Sequence, residues 1–223
     1  MRLIGIRKTY GEKKVLDGLS LNVVNGGITC VLGKSGVGKT TLLNAIAGIC
    51  SYEGEVDGLP NQVGYVFQEN RLISHMTVRD NLQYVGGRDA LIDQLLRGCG
   101  LENLSERKAA KLSGGEKRRV SILRAFCVDS EVVLLDEPFS ALDTVTKENI
   151  MALTHRLLKE QGKTAVLVTH DLDEALALAD KIAVLADGKI VYEATFAPSE
   201  SPRGYGALPN EREELLEVLK KMY

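Results

Sequence analysis

The sequence predicts an α/β protein with a mixed sheet core, a small antiparallel β subdomain and an inserted helical subdomain, and three observations predict it. An apolar run, Ile28-Thr29-Cys30-Val31-Leu32, leads into a glycine-rich turn and leaves it through Thr41-Leu42-Leu43-Asn44-Ala45-Ile46-Ala47, a strand-turn-helix reading. Strand signals recur at 132–135, 164–168 and 182–185, with an amphipathic helix between the first two, and that alternation implies a parallel sheet. From about 72 to 128 the strand signals vanish and leucine-spaced segments replace them, as in a helical insertion.

The elements follow in chain order. Met1 to Lys8 alternates like an edge strand, and residues up to about 32 hold short alternating segments divided by Gly11, Gly18 and Asn25-Gly26-Gly27. A second strand pair is expected around Gly54-Glu55-Val56 and Val63-Gly64-Tyr65-Val66-Phe67. Helical segments cover Val78 to Val85, Ala90 to Leu96 and Val120 to Phe126. A hairpin turning at Asp187-Gly188 precedes a Pro/Ser/Gly-rich connector from Pro198 to Pro209. Asn210-x-x-Glu213 then opens a short helix whose Leu215, Leu216, Leu219 and Met222 form one face, read as packing ahead of partner contact. The chain divides into a main domain at 1–197, with the insertion at about 72–128, and a connector and short helix at 198–223.

Composition sets the outer limits. At 223 residues, 44% hydrophobic and 26% charged, the chain is an ordinary globular length and mixture. A net charge of −2 gives no electrostatic reason to expect nucleic acid. Lys117-Arg118-Arg119 is the one tight basic cluster, and it reads as a solvated helix face. Cys30, Cys50, Cys99 and Cys127 lack C-x-x-C spacing, so free thiols in a reducing compartment are expected. No apolar run approaches the roughly 20 residues that span a bilayer, and the N-terminus lacks a signal-peptide core. The expected location is cytoplasmic, with any membrane role reached through a partner.

Gly33-Lys34-Ser35-Gly36-Val37-Gly38-Lys39-Thr40 fits G-x-x-x-x-G-K-[ST] between the strand and the helix, the context a phosphate-binding loop requires. Glycines let successive N–H groups turn toward one anion, and the helix N-terminus adds partial positive charge. Lys39 would hold the β and γ phosphates, Thr40 would offer a hydroxyl to Mg²⁺, and Thr41 would reach an inner phosphate. Val132-Val133-Leu134-Leu135-Asp136-Glu137 puts two carboxylates at the carboxyl end of a buried strand, where ligands bind such sheets. There Asp136 would hold Mg²⁺ and Glu137 would act as general base toward the attacking water.

Leu112-Ser113-Gly114-Gly115-Glu116 contains an S-x-x-E capping box for the helix that follows, and its two glycines also open that helix start to a phosphate. The order of Tyr10, G-x-x-x-x-G-K-T, Gln68, L-S-G-G-E, L-L-D-E-P, Ser140-Ala141-Leu142-Asp143 and His170 resembles the nucleotide-binding subunit of an ATP-binding cassette (ABC) transporter, over nearly the whole chain. The resemblance implies a P-loop NTPase fold of the ABC ATPase type, with ATP and Mg²⁺ as cofactors. It implies that Tyr10 stacks on adenine, that Gln68 reports the metal and γ-phosphate to a membrane partner, and that His170 contacts the γ-phosphate. Asp143 would belong to a dimer seam, and Ser113, Gly114 and Gly115 would complete the ATP site of the opposite subunit. A helix of about 12 residues, roughly 18 Å long, is compatible with that separation. Because one chain carries one of each motif, two are needed, as a homodimer or with a related cassette.

Thr77-Val78-Arg79-Asp80-Asn81 is similar to an element of the nitrate, sulfonate and taurine importer branch. Two departures lie near the expected permease contact: a short segment between Gly54 and Val63, and Ser74-His75 where Pro-Trp is common. The implied partners are a second ATPase subunit, an integral membrane permease and a substrate-binding protein, which would hold the chain at the cytoplasmic face of the membrane. A soluble ABC switch that remodels another complex, or an export ATPase, shares the same engine, and the transported solute leaves no mark on this chain.

Overall fold

The computed structural model describes every residue except 141, 205, 222 and 223. Two sheets organise it. The first has the order β2-β1-β4, from β1 (Arg2–Tyr10), β2 (Lys13–Asn22) and β4 (Glu53–Asp57). The second contains β3 (Ile28–Leu32), β5 (Gly64–Val66), β6 (Val132–Asp136), β7 (Thr164–Thr169), β8 (Lys181–Ala186) and β9 (Lys189–Thr195), in the order β5-β6-β7-β3-β8-β9. All its pairings are parallel except that of β8 with β9, whose turn residues Asp187 and Gly188 both have positive φ, as a two-residue hairpin requires.

Every residue of β3, β6, β7 and β8 is buried, which explains why these strands read as continuous apolar runs without alternation. Successive side chains still leave on opposite faces. Ile28, Cys30 and Leu32 enter one core, while Val31 joins a second core with Leu3, Ile6 and Leu19 of the antiparallel sheet and Leu42 of α1 (Lys39–Ile46).

The insertion holds α2 (Val78–Gln83), α3 (Asp89–Gly98) and α4 (Gly114–Cys127), and its leucines face the first core. Thr77 and Asp80 close a capping box on α2. The buried Asn81 side chain ties Ile73 and Thr77 back to that helix, so the T-V-x-D-N element has a structural task here. The chain continues through α5 (Thr144–Glu160), α6 (Leu172–Leu178) and α7 (Pro209–Lys220). All four cysteines are free thiols, and no helix among the described residues is long and apolar enough to cross a membrane.

Three local expectations are corrected. Met1 to Lys8 does not form an edge strand, because β1 lies between β2 and β4. A Cβ at Gly54 would stand 2.7 Å from the carbonyl oxygens of Ile4 and Gly5, so only glycine lets β4 come so close. The segments near 54 and 64 do not pair with each other: β4 joins β1, whereas β5 pairs in parallel with β6. Gly18 does not divide strands but sits inside β2 with φ +77°.

The tail differs in its start and agrees in its packing. Asn210 and Glu213 do not cap α7; the helix begins at Pro209, and the cap residue Leu208 contributes no side-chain bond. Leu215 is fully buried, and Leu216 and Leu219 pack against the same core. Met222 lies outside the described residues.

Candidate functional site

Parallel register delivers the site residues to one edge. Leu32 pairs with Thr169 and Asp136 with Val168, so the segments that begin at Gly33, Glu137 and His170 leave the sheet side by side. Two main-chain bonds continue the alignment: Gly33 N–H donates to Thr169 O at 3.3 Å, and Glu137 N–H donates to Val168 O at 3.0 Å.

The glycine loop wraps over this edge. A Cβ at Gly33 would stand 2.7 Å from Leu185 O, and Gly38, at φ +115°, leads into α1 with no side-chain cap on the helix. The first amides of α1 therefore face the loop without a competing side chain, which suits an anion. Lys39 is buried, donating to Gly33 O at 2.8 Å and Lys34 O at 2.9 Å, and its Nζ lies 3.3 Å from Glu137 Oε1. A cleft of about 280 Å³ opens here, lined by Tyr10, Val15, Ser35, Gly36, Gly38, Lys39, Thr40, Thr41, Gln68 and Glu137. Val37 points elsewhere: it packs into the second core, and its N–H donates to Lys34 O at 3.4 Å. Tyr10 ends β1 half-exposed, with Lys8 Nζ 4.9 Å from its ring centroid.

Beneath the cleft Thr40 Oγ1 donates to Asp136 Oδ1 at 3.1 Å. Burial raises the Asp136 pKa and the Thr40 hydroxyl opposes the rise. A hydroxyl and a carboxylate side by side are hard oxygen donors, the kind Mg²⁺ takes when phosphate oxygens and water complete its shell. Glu137 has φ +41°, a left-handed conformation that costs a non-glycine residue of order 1–3 kcal/mol and persists only where the surroundings impose it. Its carboxylate is bracketed: Oε1 faces Lys39, and Oε2 lies 3.2 Å from His170 Nδ1.

The basic cluster is corrected. Arg118 does not lie on a solvated face; it is 4% exposed, and burial pushes its pKa down to about 10. Its guanidinium donates to the carbonyls of Phe67, Gln68, Glu137 and Pro138. Arg119 donates to Cys99 O at 3.1 Å. A run of three basic residues hid this, although α4 turns about 100° per residue and must point one of three neighbours inward.

Ser113, Gly114 and Gly115 do not line the cleft. Ser113 and Glu116 close the expected capping box, with Ser113 N–H donating to Glu116 Oε2 at 2.7 Å, and a Cβ at Gly114 would meet nothing within 4 Å. Asp143 caps α5 by accepting from Thr146 N–H at 3.1 Å, while Ala141 lies outside the described residues. Sequence reasoning missed Lys147, whose Nζ reaches Asp171 Oδ2 at 2.5 Å and Glu174 Oε1 at 2.7 Å, both just after His170 in the chain. Asp171 caps α6, but Glu174 turns inward to Thr169 and Lys147 and does not close a box.

An edge so arranged is built for a polyphosphate, which places the molecule among the P-loop nucleoside triphosphatases. More narrowly, the chain belongs to the ABC transporter family, whose model matches residues 16–140, and within that family it is an ATP-binding, ATP-hydrolysing subunit. The aliphatic sulfonates import ATP-binding protein SsuB of Delftia acidovorans is 41% identical over 85% of this chain and 81% of its own length. The sulfate/thiosulfate import ATP-binding protein CysA of Mycobacterium tuberculosis is 42% identical over 82% of this chain but only 58% of that protein. A dimeric post-hydrolysis state of the ATP-binding cassette MJ0796, bound to ADP and Pi, superposes with a TM-score of 0.75 at 32% identity, covering 89% of this chain and 99% of that one.

Proposed function

We propose that this chain energises solute import through a separate integral membrane permease, acting as a homodimer at the cytoplasmic face of the membrane, with a substrate-binding protein delivering the solute. The observation that carries the pairing is the separation of Ser113, Gly114 and Gly115 from the cleft of their own chain. A second subunit would bring those residues to the nucleotide. The names of the sulfonate and sulfate relatives support import. The ATPase domain would span 1–197, with its helical insertion at about 72–128, and 198–223 would form the connector and terminal helix.

In this reading Tyr10 stacks on adenine, and residues Gly33 to Thr41 hold the phosphates through main-chain N–H groups and Lys39. Lys39 exchanges its present loop carbonyls for phosphate oxygens. Thr40, Asp136 and Gln68 would hold Mg²⁺, which neutralises charge on the β and γ phosphates when bound. Glu137 accepts a proton from the water that attacks the γ-phosphorus, the bond to the β–γ bridging oxygen breaks, and ADP and phosphate leave. His170, beside Glu137, contacts the γ-phosphate. ATP binding thus holds two subunits together and hydrolysis releases them, a two-state change set by differential affinity.

Two experiments test the proposal. Glu137→Gln is expected to keep ATP binding, lose turnover by at least about 100-fold and elute as a dimer with Mg·ATP; near-native turnover removes Glu137 from its role, and a monomer under every nucleotide condition argues against self-pairing. Affinity purification from native cells in mild detergent should recover a polytopic permease. Soluble partners alone, with none of the chain in the membrane fraction, would overturn the transport reading in favour of a soluble ABC switch.

A further inference from the structure

We infer that Arg118 is a positioning residue for hydrolysis, which couples the loops carrying Gln68 and Glu137 to the helix that Ser113, Gly114 and Gly115 open. The inference rests on the site reading above and adds to it the part that transmits movement between one nucleotide site and the other.

The geometry points to both loops at once. Nη1 donates to Phe67 O at 2.7 Å, Gln68 O at 3.3 Å and Asn70 Oδ1 at 3.5 Å, while Nη2 donates to Glu137 O at 3.2 Å and Nε to Pro138 O. A guanidinium is rigid and planar and carries five N–H donors, so a shift of one loop tilts the fork away from the other.

The held atoms matter more than their number. Two non-glycine residues near the site have positive φ, Arg71 at +46° and Glu137 at +41°, and the carbonyl of each accepts from an arginine of α4: Arg71 O from Arg124 Nη1 at 2.7 Å, and Glu137 O from Arg118 Nη2. Such conformations survive only where the surroundings over-determine them. The Glu137 carbonyl also accepts from Ser140 Oγ at 3.0 Å and Ser140 N–H at 3.3 Å. Because the direction of a side chain follows its backbone, the grip on this carbonyl aims the carboxylate. Arg118 stands four residues after Gly114, about 6 Å along the helix, so a partner's nucleotide that draws in the start of α4 also moves this grip.

The test compares Arg118→Ala, Arg118→Gln and Arg118→Lys with wild type in the full chain, scoring turnover per nucleotide-bound site beside KM, affinity for a fluorescent ATP analogue and Tm. Arg119→Ala, which removes the hydrogen bond to Cys99 O from the same helix and leaves the loops at 67–68 and 137–138 untouched, serves as the packing control. Expected is a fall in kcat of about 100-fold for the Ala and Gln variants, the scale of a misplaced catalytic group, with KM and affinity within about threefold. Arg118→Lys should recover only in part, to about tenfold below wild type, because an ammonium serves one loop at a time. Turnover per site within about threefold of wild type in a folded Gln variant overturns the inference, as does a parallel loss of nucleotide affinity and turnover, the mark of a merely structural arginine. Where Arg118→Ala does not fold, Arg118→Lys decides: wild-type turnover rejects the coupling. Lys39→Ala and Glu137→Gln run alongside. Normal turnover in Glu137→Gln brings down the site reading and this inference together, whereas normal turnover in the Arg118 variants beside an inactive Glu137→Gln removes this inference alone.

Discussion

Thr40 and Asp136 stand 96 residues apart in the chain, and in the fold the hydroxyl of one donates to the carboxylate of the other at 3.1 Å. The bond joins the start of α1 to the end of β6 and holds both oxygen donors at one point below the glycine loop. Thr40→Val keeps the side-chain shape and removes the donor. The Mg²⁺ concentration for half-maximal ATPase activity should then rise about tenfold, the worth of one polar contact of roughly 1.4 kcal/mol, and Thr40→Ser should restore it. An unchanged Mg²⁺ requirement would remove Thr40 from the metal site.

Lys147 joins α5 to the two carboxylates at the start of α6, just after His170. Burial works against its charge, but the bonds from Asp171 and Glu174 outweigh burial and raise its pKa. Lys147→Met leaves two acids without their cation and should cost about 3 kcal/mol, the low end for a broken buried pair because Asp171 is partly exposed. Lys147 lowers the pKa of both acids, against the burial that raises that of Glu174. Removing it raises both folded values relative to wild type, so the mutant's deficit is small where the acids are protonated, below about pH 4, and grows as pH rises. Urea unfolding should therefore separate mutant from wild type more widely at pH 8 than at pH 4.5. An equal gap at both would show that these acids do not titrate with folding.

His155 is 2% exposed, and burial, aided by Lys159, lowers its pKa from the ordinary 6.5. The unfolded chain takes up this proton first as pH falls. Stability from the neutral imidazole is complete above about pH 6.5 and declines below it, by at most about 1.4 kcal/mol per pH unit. His155→Gln should flatten this limb of the stability–pH curve; an unaltered limb would assign it to other groups.

Leu215 tests the tail. It is fully buried in the first core, so Leu215→Ala should destabilise the protein by about 2–5 kcal/mol. A mutant that melts with wild type would return α7 to the partner-contact reading.

Much of the fold was legible because local signals and tertiary demands agreed. Ile28–Leu32 and Val132–Asp136 are buried throughout and read as mainly apolar runs because both sheet faces are covered, and their ends mark the ligand edge. The S-x-x-E box opens α4 as its residues require. Met1 to Lys8 misled because alternation reports one buried face and says nothing about how many edges are paired. Asn210 and Glu213 misled because Pro209 supplies a helix start of its own.

By itself, then, the sequence determined the phosphate loop, the carboxylates at a strand end, the helical insertion and the family resemblance, because each rests on short local motifs or on their order along the chain. Only the tertiary structure decided which other distant groups meet: Arg118 with the loops at 67–68 and 137–138, and Lys147 with the two acids just after His170. Composition could not separate Arg118 from its basic neighbours, since a charge run looks the same whether one member is solvated by water or by buried carbonyls. That choice is made by packing, when α4 turns one side chain inward and the main chain around it replaces water.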